Sequence, residues 1–151
     1  RLPAAGWAIA NAEQLPFADD SFDALTCLGS LERMLDRRAA LAEMRRVTRD
    51  RARLCFLVRN AGTFSFRYLT GGTRSRRGRG HQDAGSLDYW RELFESTGFR
   101  VLQTLPDQWP LQRRARWLRL GRPGFDYRKP LESRRPLERA NEFIFVLEKT
   151  A

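Results

Sequence analysis

Residues 11–28 read NAEQLPFADDSFDALTCL. The stretch joins the end of one apolar run to a second apolar run through a turn. Pro16 and the Asp pair that follows it mark the turn, because both residue types favour reversal of the chain. The apolar runs at residues 7–10 and 22–28 predict two strands that are buried on both faces, as in a parallel sheet.

Helices and strands alternate along the rest of the chain. Asp36 is predicted to cap a helix that runs to about Thr48, with apolar residues repeating along one face. Ser86 is predicted to cap a second helix, and Gly98 to end it in the left-handed backbone region. Further strands are predicted at residues 54–58, 99–105 and 143–147. This alternation indicates an α/β fold.

The positive charge of the chain is concentrated in two irregular segments. The formal net charge is +10. Residues 61–85 carry five Arg and one Asp, and residues 106–141 carry ten Arg or Lys and four acidic residues. The two segments therefore account for the whole net charge, and the predicted helices and strands form a neutral scaffold.

The two cysteines indicate neither a disulfide framework nor a metal site. Cys27 and Cys55 each lie between apolar residues of a predicted strand, which favours buried and reduced thiols. His81 is the only histidine, so a zinc site lacks ligands, and no metal is expected. No apolar run reaches the ~18 residues of a membrane span. These features predict a cytoplasmic protein.

Several motifs share their order and spacing with one enzyme family. The run Asn-Ala-Glu-Gln-Leu-Pro-Phe at 11–17, followed by Ser-Phe-Asp at 21–23, resembles the class I S-adenosylmethionine (SAM) dependent methyltransferases of type 11. The run Leu-Ala-Glu-Met-Arg-Arg-Val at 41–47 is similar to that family's Leu-x-Glu-x-x-Arg-Val helix. The resemblance implies an incomplete Rossmann-like methyltransferase sheet with family strands 3 to 7, the last strand antiparallel. We expect residues 1–151 to form a single partial domain, with basic insertions at 61–85 and 106–141.

The resemblance also implies a cofactor, SAM, and a set of residues that bind it. The position of Asn11 usually holds an Asp that accepts a hydrogen bond from the adenine amino group, and an Asn carbonyl oxygen can still accept one. The end of the strand at 22–28 faces the methionine side. The cofactor residues implied are Asn11, Ala12, Glu13, Cys27, Leu28 and Gly29. The family's glycine-rich loop is expected to precede residue 1, so this chain alone should bind SAM weakly or not at all.

The acceptor of the methyl group is expected to be small or carrier-linked and anionic, because both basic segments follow strands at the substrate edge of the sheet. His81 is the candidate general base, with Asp83 and Tyr89 as weaker candidates. Methyl transfer from a sulfonium can also proceed by positioning alone, without any catalytic residue.

Other interpretations stay open. Departures from the family pattern at Asn11, Arg33 and Arg51-Ala52 favour a non-catalytic subunit that binds a partner. The basic segments also fit a nucleic-acid-binding module, and residues 111–120 could form a basic helix at a membrane surface. An exposed sheet edge, left where family strands are missing, could pair two copies into a homodimer.

Overall fold

The structure, a computed structural model, describes residues 6–63, 83–107 and 136–150. Four strands form one sheet: β1 (Phe22–Leu28), β2 (Thr48–Arg59), β3 (Phe99–Pro106) and β4 (Glu142–Lys149). Helix α1 (Arg37–Val47) joins β1 to β2, and α2 (Leu87–Ser96) precedes β3. All four of these strands and both helices were predicted from the sequence.

The strand order is β1-β2-β4-β3. Strands β1 and β2 are parallel, whereas β4 runs antiparallel to both of its neighbours, β2 and β3. This confirms the antiparallel closing strand and the incomplete Rossmann-like sheet that the resemblance implied. Because β1, β2 and β3 point the same way, their carboxyl ends meet at one edge of the sheet.

The predicted strand at residues 7–10 is wrong. Residues 6–10 have no regular secondary structure, and Trp7 and Ile9 are fully exposed. A strand buried on both faces needs hydrogen-bonded neighbours and a cover on each side. In the described part of the chain no strand lies beside these residues, so the apolar pattern has nothing to pair with.

The helices begin and end where their capping residues predict. The Asp36 carboxylate accepts a hydrogen bond from the Ala39 N–H (2.9 Å), and the Ser86 hydroxyl accepts one from the Tyr89 N–H (3.1 Å). Gly98 follows α2 with a φ of +86°, as predicted for a residue that ends a helix in the left-handed region.

Both helices bury their apolar faces in one core. Phe94 of α2 contacts Phe56 of β2 and Phe145 of β4, with ring centroids 4.9 and 5.1 Å apart. The Trp90 indole N–H donates to the Arg59 carbonyl oxygen (3.0 Å), so the largest core side chain also satisfies its polar atom. Each fully buried aromatic ring contributes about 2–3 kcal/mol to the free energy of unfolding.

The other face of the sheet is only partly covered. Along the register, Leu28, Leu57, Ile144 and Leu105 form one row across all four strands. Leu28 is 60% exposed, and the expectation that β1 is buried on both faces is therefore wrong. The physical reason is that α1 and α2 cover the face that carries Phe56 and Phe145, whereas the row lies on the opposite face.

Candidate functional site

The candidate site lies at the carboxyl edge of the sheet, where open α/β sheets bind their ligands. β1 ends there at Leu28, β2 at Arg59 and β3 at Pro106. The six residues predicted to bind a cofactor fall into two groups, one in the turn at 11–14 and one at the end of β1.

The first group is a tight turn held by its own hydrogen bonds. The Gln14 N–H donates to the Asn11 carbonyl oxygen (3.0 Å), and the Glu13 N–H donates to the Asn11 side-chain oxygen (3.1 Å). The Asn11 side chain is exposed, but the amide oxygen that would accept from an adenine amino group already accepts from Glu13. Ala12 is half-buried between them.

Glu13 has a structural partner that the sequence did not predict. Its carboxylate accepts a hydrogen bond from the Asp36 N–H (2.9 Å), at the start of α1. Asp36 follows Gly29 by seven residues, so this bond ties the turn at 11–14 to the segment that leaves β1. The carboxylate of Glu13 is thus occupied by the protein, and its backbone remains the part that could face a ligand.

The second group combines a buried thiol with an exposed strand end. Cys27 is buried, and burial raises the pKa of its thiol to about 11, although N–H groups of Leu31 and Ser30 partly offset the effect. Gly29 has a φ of +68° and donates its N–H to the Leu57 carbonyl oxygen (3.0 Å). The left-handed conformation turns the chain away from the sheet immediately after Leu28.

Asn60 joins both ends of the first basic segment, 61–85, to the end of the second, 106–141. Its side-chain NH₂ donates to the carbonyl oxygens of Glu138 (2.9 Å) and Ala140 (2.8 Å), and its side-chain oxygen accepts from the Gly62 N–H (2.8 Å). Its backbone pairs with Gly85 in a parallel bridge. A single buried amide therefore fixes where residues 61–85 leave and return, and where the segment 106–141 returns.

A second polar cluster, which the sequence analysis missed, lies around Arg37. The Arg37 guanidinium contacts the Asp83 carboxylate (2.7 Å) and the Tyr89 hydroxyl (3.0 Å), and its carbon lies 5.8 Å from the centre of the Trp90 ring. Asp83 and Tyr89 are the weaker candidates for a general base. Because both bind Arg37, they act as ligands of this guanidinium in the structure. Residues that lie far apart in the sequence meet here, so no local pattern could have revealed the cluster.

Carboxylates also gather beside this cluster. Glu32 is 2% exposed, and its Oε2 has no hydrogen-bond partner among the described residues. The pKa of Glu142 is raised above its ordinary value by burial and by Asp107, partly offset by Arg59. Three carboxylates, those of Glu32, Asp107 and Glu142, therefore lie near one another at this edge of the sheet, which the sequence alone did not indicate.

The candidate base His81 lies outside the described residues, as do residues 64–82 and 108–135 of the two basic segments. The basic helix expected at 111–120 falls in the same part of the chain. Neither α1 nor α2, the two α-helices in the described ranges, is long and apolar enough to cross a membrane.

Comparison with known proteins agrees with the geometry. The family model described as "Methyltransferase domain" matches residues 2–56, which include both groups of candidate cofactor residues. A SAM-dependent methyltransferase of Methanosarcina mazei has the same fold, with a TM-score of 0.62 and 15% identity over 95% of this chain and 66% of that one. Residues 2–56 are therefore similar to a methyltransferase family, and the chain shares the fold of that SAM-dependent methyltransferase.

Two curated proteins share part of the sequence of this chain. A demethylmenaquinone methyltransferase of Mycolicibacterium paratuberculosis is 54% identical over 44 residues, which are 29% of this chain and 19% of that protein. A ubiquinone/menaquinone biosynthesis C-methyltransferase of Burkholderia cenocepacia is 45% identical over 49 residues, which are 32% of this chain and 20% of that protein. The chain thus matches only about a fifth of the length of each relative.

Proposed function

We propose that this chain forms the adenine edge and the substrate side of a methyltransferase that moves the methyl group of SAM to a small or carrier-linked, anionic acceptor. The observation that carries the proposal is that the turn at 11–14 and the strand end at 27–29 both fall inside the matched region 2–56. Asn11 is exposed at the turn, and Leu28 is exposed at the strand end.

The residues fit the two ends of the cofactor differently. Asn11 and the backbone of Ala12 and Glu13 would face adenine, whereas Cys27 and Gly29 would line the methionine side. SAM supplies an activated methyl group when bound, and these residues would hold and orient it. The pKa of about 11 keeps the Cys27 thiol protonated at neutral pH, so Cys27 would contribute shape and apolar surface rather than a nucleophile.

Two observations bear on the class of the methyl acceptor, and they favour different kinds of molecule. The two relatives are named for quinone substrates, which are small molecules. The basic segments carry the entire net charge of +10, and Asn60 fixes their ends at the edge of the sheet. The charge favours an acceptor with a phosphate or carboxylate group, which Arg recognises well.

The test is an NMR titration of the chain with SAM. We expect saturable but weak binding, with a Kd on the order of millimolar because few of the family's cofactor contacts are supplied here. The amide signals of Ala12 and Gly29 should shift, and those of Phe145 in the core should not. No saturable shift at Ala12 and Gly29 would refute the proposed cofactor site, and micromolar affinity would refute the expected weakness.

A second candidate function is a non-catalytic subunit that binds a partner protein. The observation that favours it is the partly covered row of Leu28, Leu57, Ile144 and Leu105, which resembles an interface core more than a free surface. This function predicts that SAM produces no shift in the titration above and that the chain sediments as a complex or a self-associated species.

A further inference from the structure

The side chain of Arg46, in the third turn of α1, has every one of its donors satisfied by named acceptors. Its Nε donates to Glu43 Oε1 (2.8 Å). Its Nη1 donates to the Phe17 carbonyl oxygen (2.8 Å) and to Asp19 Oδ1 (2.6 Å), and its Nη2 donates to the Leu15 carbonyl oxygen (3.0 Å) and to Glu43 Oε2 (2.8 Å). A guanidinium has five N–H donors, and here each one has an acceptor.

Glu43 completes the arrangement from the same helix. Its Oε2 accepts a hydrogen bond from the Leu15 N–H (2.8 Å) while it also binds Arg46. The pair therefore holds both the N–H and the C=O of Leu15, which fixes the orientation of the backbone there. Arg46 and the Leu15 N–H together lower the pKa of Glu43 to about 2, so the carboxylate stays ionised at neutral pH.

The segment held in this way leads directly into the candidate cofactor turn. Leu15 follows Gln14, whose N–H closes the turn on Asn11. Glu13 provides a second attachment, through the Asp36 N–H. Helix α1 thus binds the segment 11–17 at two places. One is the Asp36 N–H at the start of the helix, and the other is the pair Glu43 and Arg46 near its end.

We propose that Glu43 and Arg46 are positioning residues for the SAM site: they fix the backbone of Leu15 and Phe17 and thereby set where Asn11 and Ala12 stand relative to the end of β1. This inference rests on the proposed function, because it assumes that the turn at 11–14 faces adenine. Neither side chain contacts the cofactor. Their role is to keep an exposed turn in one place before the ligand arrives, which lowers the ordering cost of binding.

The geometry explains why the position needs Arg rather than Lys. A Lys ammonium is a point charge with three donors, so it cannot bind two backbone carbonyl oxygens and three carboxylate oxygens at once. Arg46→Lys keeps the positive charge but removes the planar set of five N–H donors. The variant therefore separates the effect of these hydrogen bonds from that of charge attraction alone.

The experiment compares Arg46→Lys and Glu43→Gln with the unchanged chain. Amide hydrogen exchange at Leu15 should accelerate about tenfold in both variants, since a charge-assisted hydrogen bond is lost or weakened. Exchange at Phe56 in the same sample should not change, which separates local release from global unfolding. The SAM titration followed at the Ala12 amide should give a Kd about tenfold higher in both variants. We expect this factor because each variant loses or weakens one such hydrogen bond that holds the turn.

Arg45→Lys is the matched control. Arg45 is the adjacent residue on α1, and it donates to the carbonyl oxygens of Gly98 and Thr150 rather than to the turn. Neither Leu15 exchange nor SAM affinity should change in this variant.

Each alternative outcome is decisive. Unchanged Leu15 exchange in Arg46→Lys and Glu43→Gln would overturn the inference directly. Faster Leu15 exchange with unchanged SAM affinity would overturn the positioning role. Glu43 and Arg46 would then hold the backbone of Leu15 without affecting SAM binding. Absence of any SAM shift at Ala12 in the unchanged chain would overturn the proposed function on which the inference rests.

Discussion

The amide of Asn60 should be one of the most sensitive single positions in the chain. It is 3% exposed, and its side chain makes hydrogen bonds to Glu138, Ala140 and Gly62. Asn60→Asp changes almost nothing in shape, but it replaces an NH₂ that donates twice with an oxygen that cannot donate. The new carboxylate oxygen would face two carbonyl oxygens at the present distances of 2.9 and 2.8 Å.

The magnitude follows from these three bonds. Two donated hydrogen bonds, each worth about 1 kcal/mol net, are lost, and a buried charge meets unpaired acceptors at a cost of at least another 1–3 kcal/mol. We therefore expect Asn60→Asp to lower the free energy of unfolding by about 3–5 kcal/mol at pH 7. Asn60→Ala loses all three bonds without the repulsion and should cost about 3 kcal/mol.

Urea unfolding monitored by tryptophan fluorescence measures both effects. With an m-value of about 1.5 kcal/mol/M, a loss of 3 kcal/mol shifts the midpoint by about 2 M. The deficit of Asn60→Asp should shrink as the pH falls from 7 to about 4, because burial beside carbonyl oxygens raises the folded-state pKa of the introduced carboxyl above its unfolded value and the protonated form can donate again.

The matched control is Asn141→Asp. Asn141 directly follows Ala140, accepts a hydrogen bond from the Asn60 N–H only through its backbone oxygen, and is exposed. The same chemical change there should cost less than about 0.5 kcal/mol. Equal midpoints for Asn60→Asp and Asn141→Asp would refute the view that the buried amide holds the two basic segments together.

Three further predictions concern other positions. Arg51 has a φ of +62°, so Arg51→Gly should relieve backbone strain and raise the free energy of unfolding by about 0.5–1 kcal/mol, whereas the control Arg49→Gly should lower it; urea midpoints measure both. The pKa of Glu43 falls from its ordinary value of 4.5 to about 2, so the stability due to its ionisation is present above pH 4.5 and is lost as the pH falls to 2. The free energy of unfolding should therefore depend less on pH between 4.5 and 2 in Glu43→Gln than in the unchanged chain. An identical pH dependence in the two proteins would contradict the lowered pKa of Glu43. Cys27 has a thiol pKa near 11, two units above its ordinary value of 9.0, so its thiolate fraction at pH 8 is lowered about a hundredfold. Iodoacetamide should label Cys27 at least that much more slowly than a free thiol, as measured by mass spectrometry.

The sequence predicted the elements whose signals are local. The Asp36 and Ser86 caps, the left-handed Gly98 and the apolar runs of β1 to β4 are each set by a few neighbouring residues. The same kind of signal failed at residues 7–10, because a short apolar run is typical of a strand only when neighbouring strands complete it.

The backbone conformation at the start of β2 could not be predicted from the local sequence. The stretch Arg49-Asp50-Arg51-Ala52 contains no Gly or Asn, the residues that most readily adopt a positive φ, and Arg51 nevertheless adopts one. The register between β1 and β2 shifts over this stretch, from Phe22 opposite Thr48 to Ala24 opposite Arg53. Strand pairing forces the conformation that the residue itself disfavours.

The candidate site depended on contacts that no spacing reveals. Asn11, Cys27 and Gly29 were identified through a family pattern, and their place at the edge of the sheet follows from chain direction. The bonds of Glu43 to Leu15 and of Arg37 to Asp83 join residues 28 and 46 positions apart. Such pairings are fixed by tertiary structure and therefore appear only in the folded chain.

The position of β4 has a consequence for how the chain acquires its structure. β4 is the last described strand in the sequence, yet it lies inside the sheet, between β2 and β3. During synthesis, β3 therefore lacks its partner among the described strands until residues 142–149 have left the ribosome. The Lys149 ammonium also bonds to the Thr48 carbonyl oxygen and to Asp20, which come from the beginning of the sheet. The core must then close in one late, non-local step, and a chain interrupted before β4 exposes strand edges that favour aggregation.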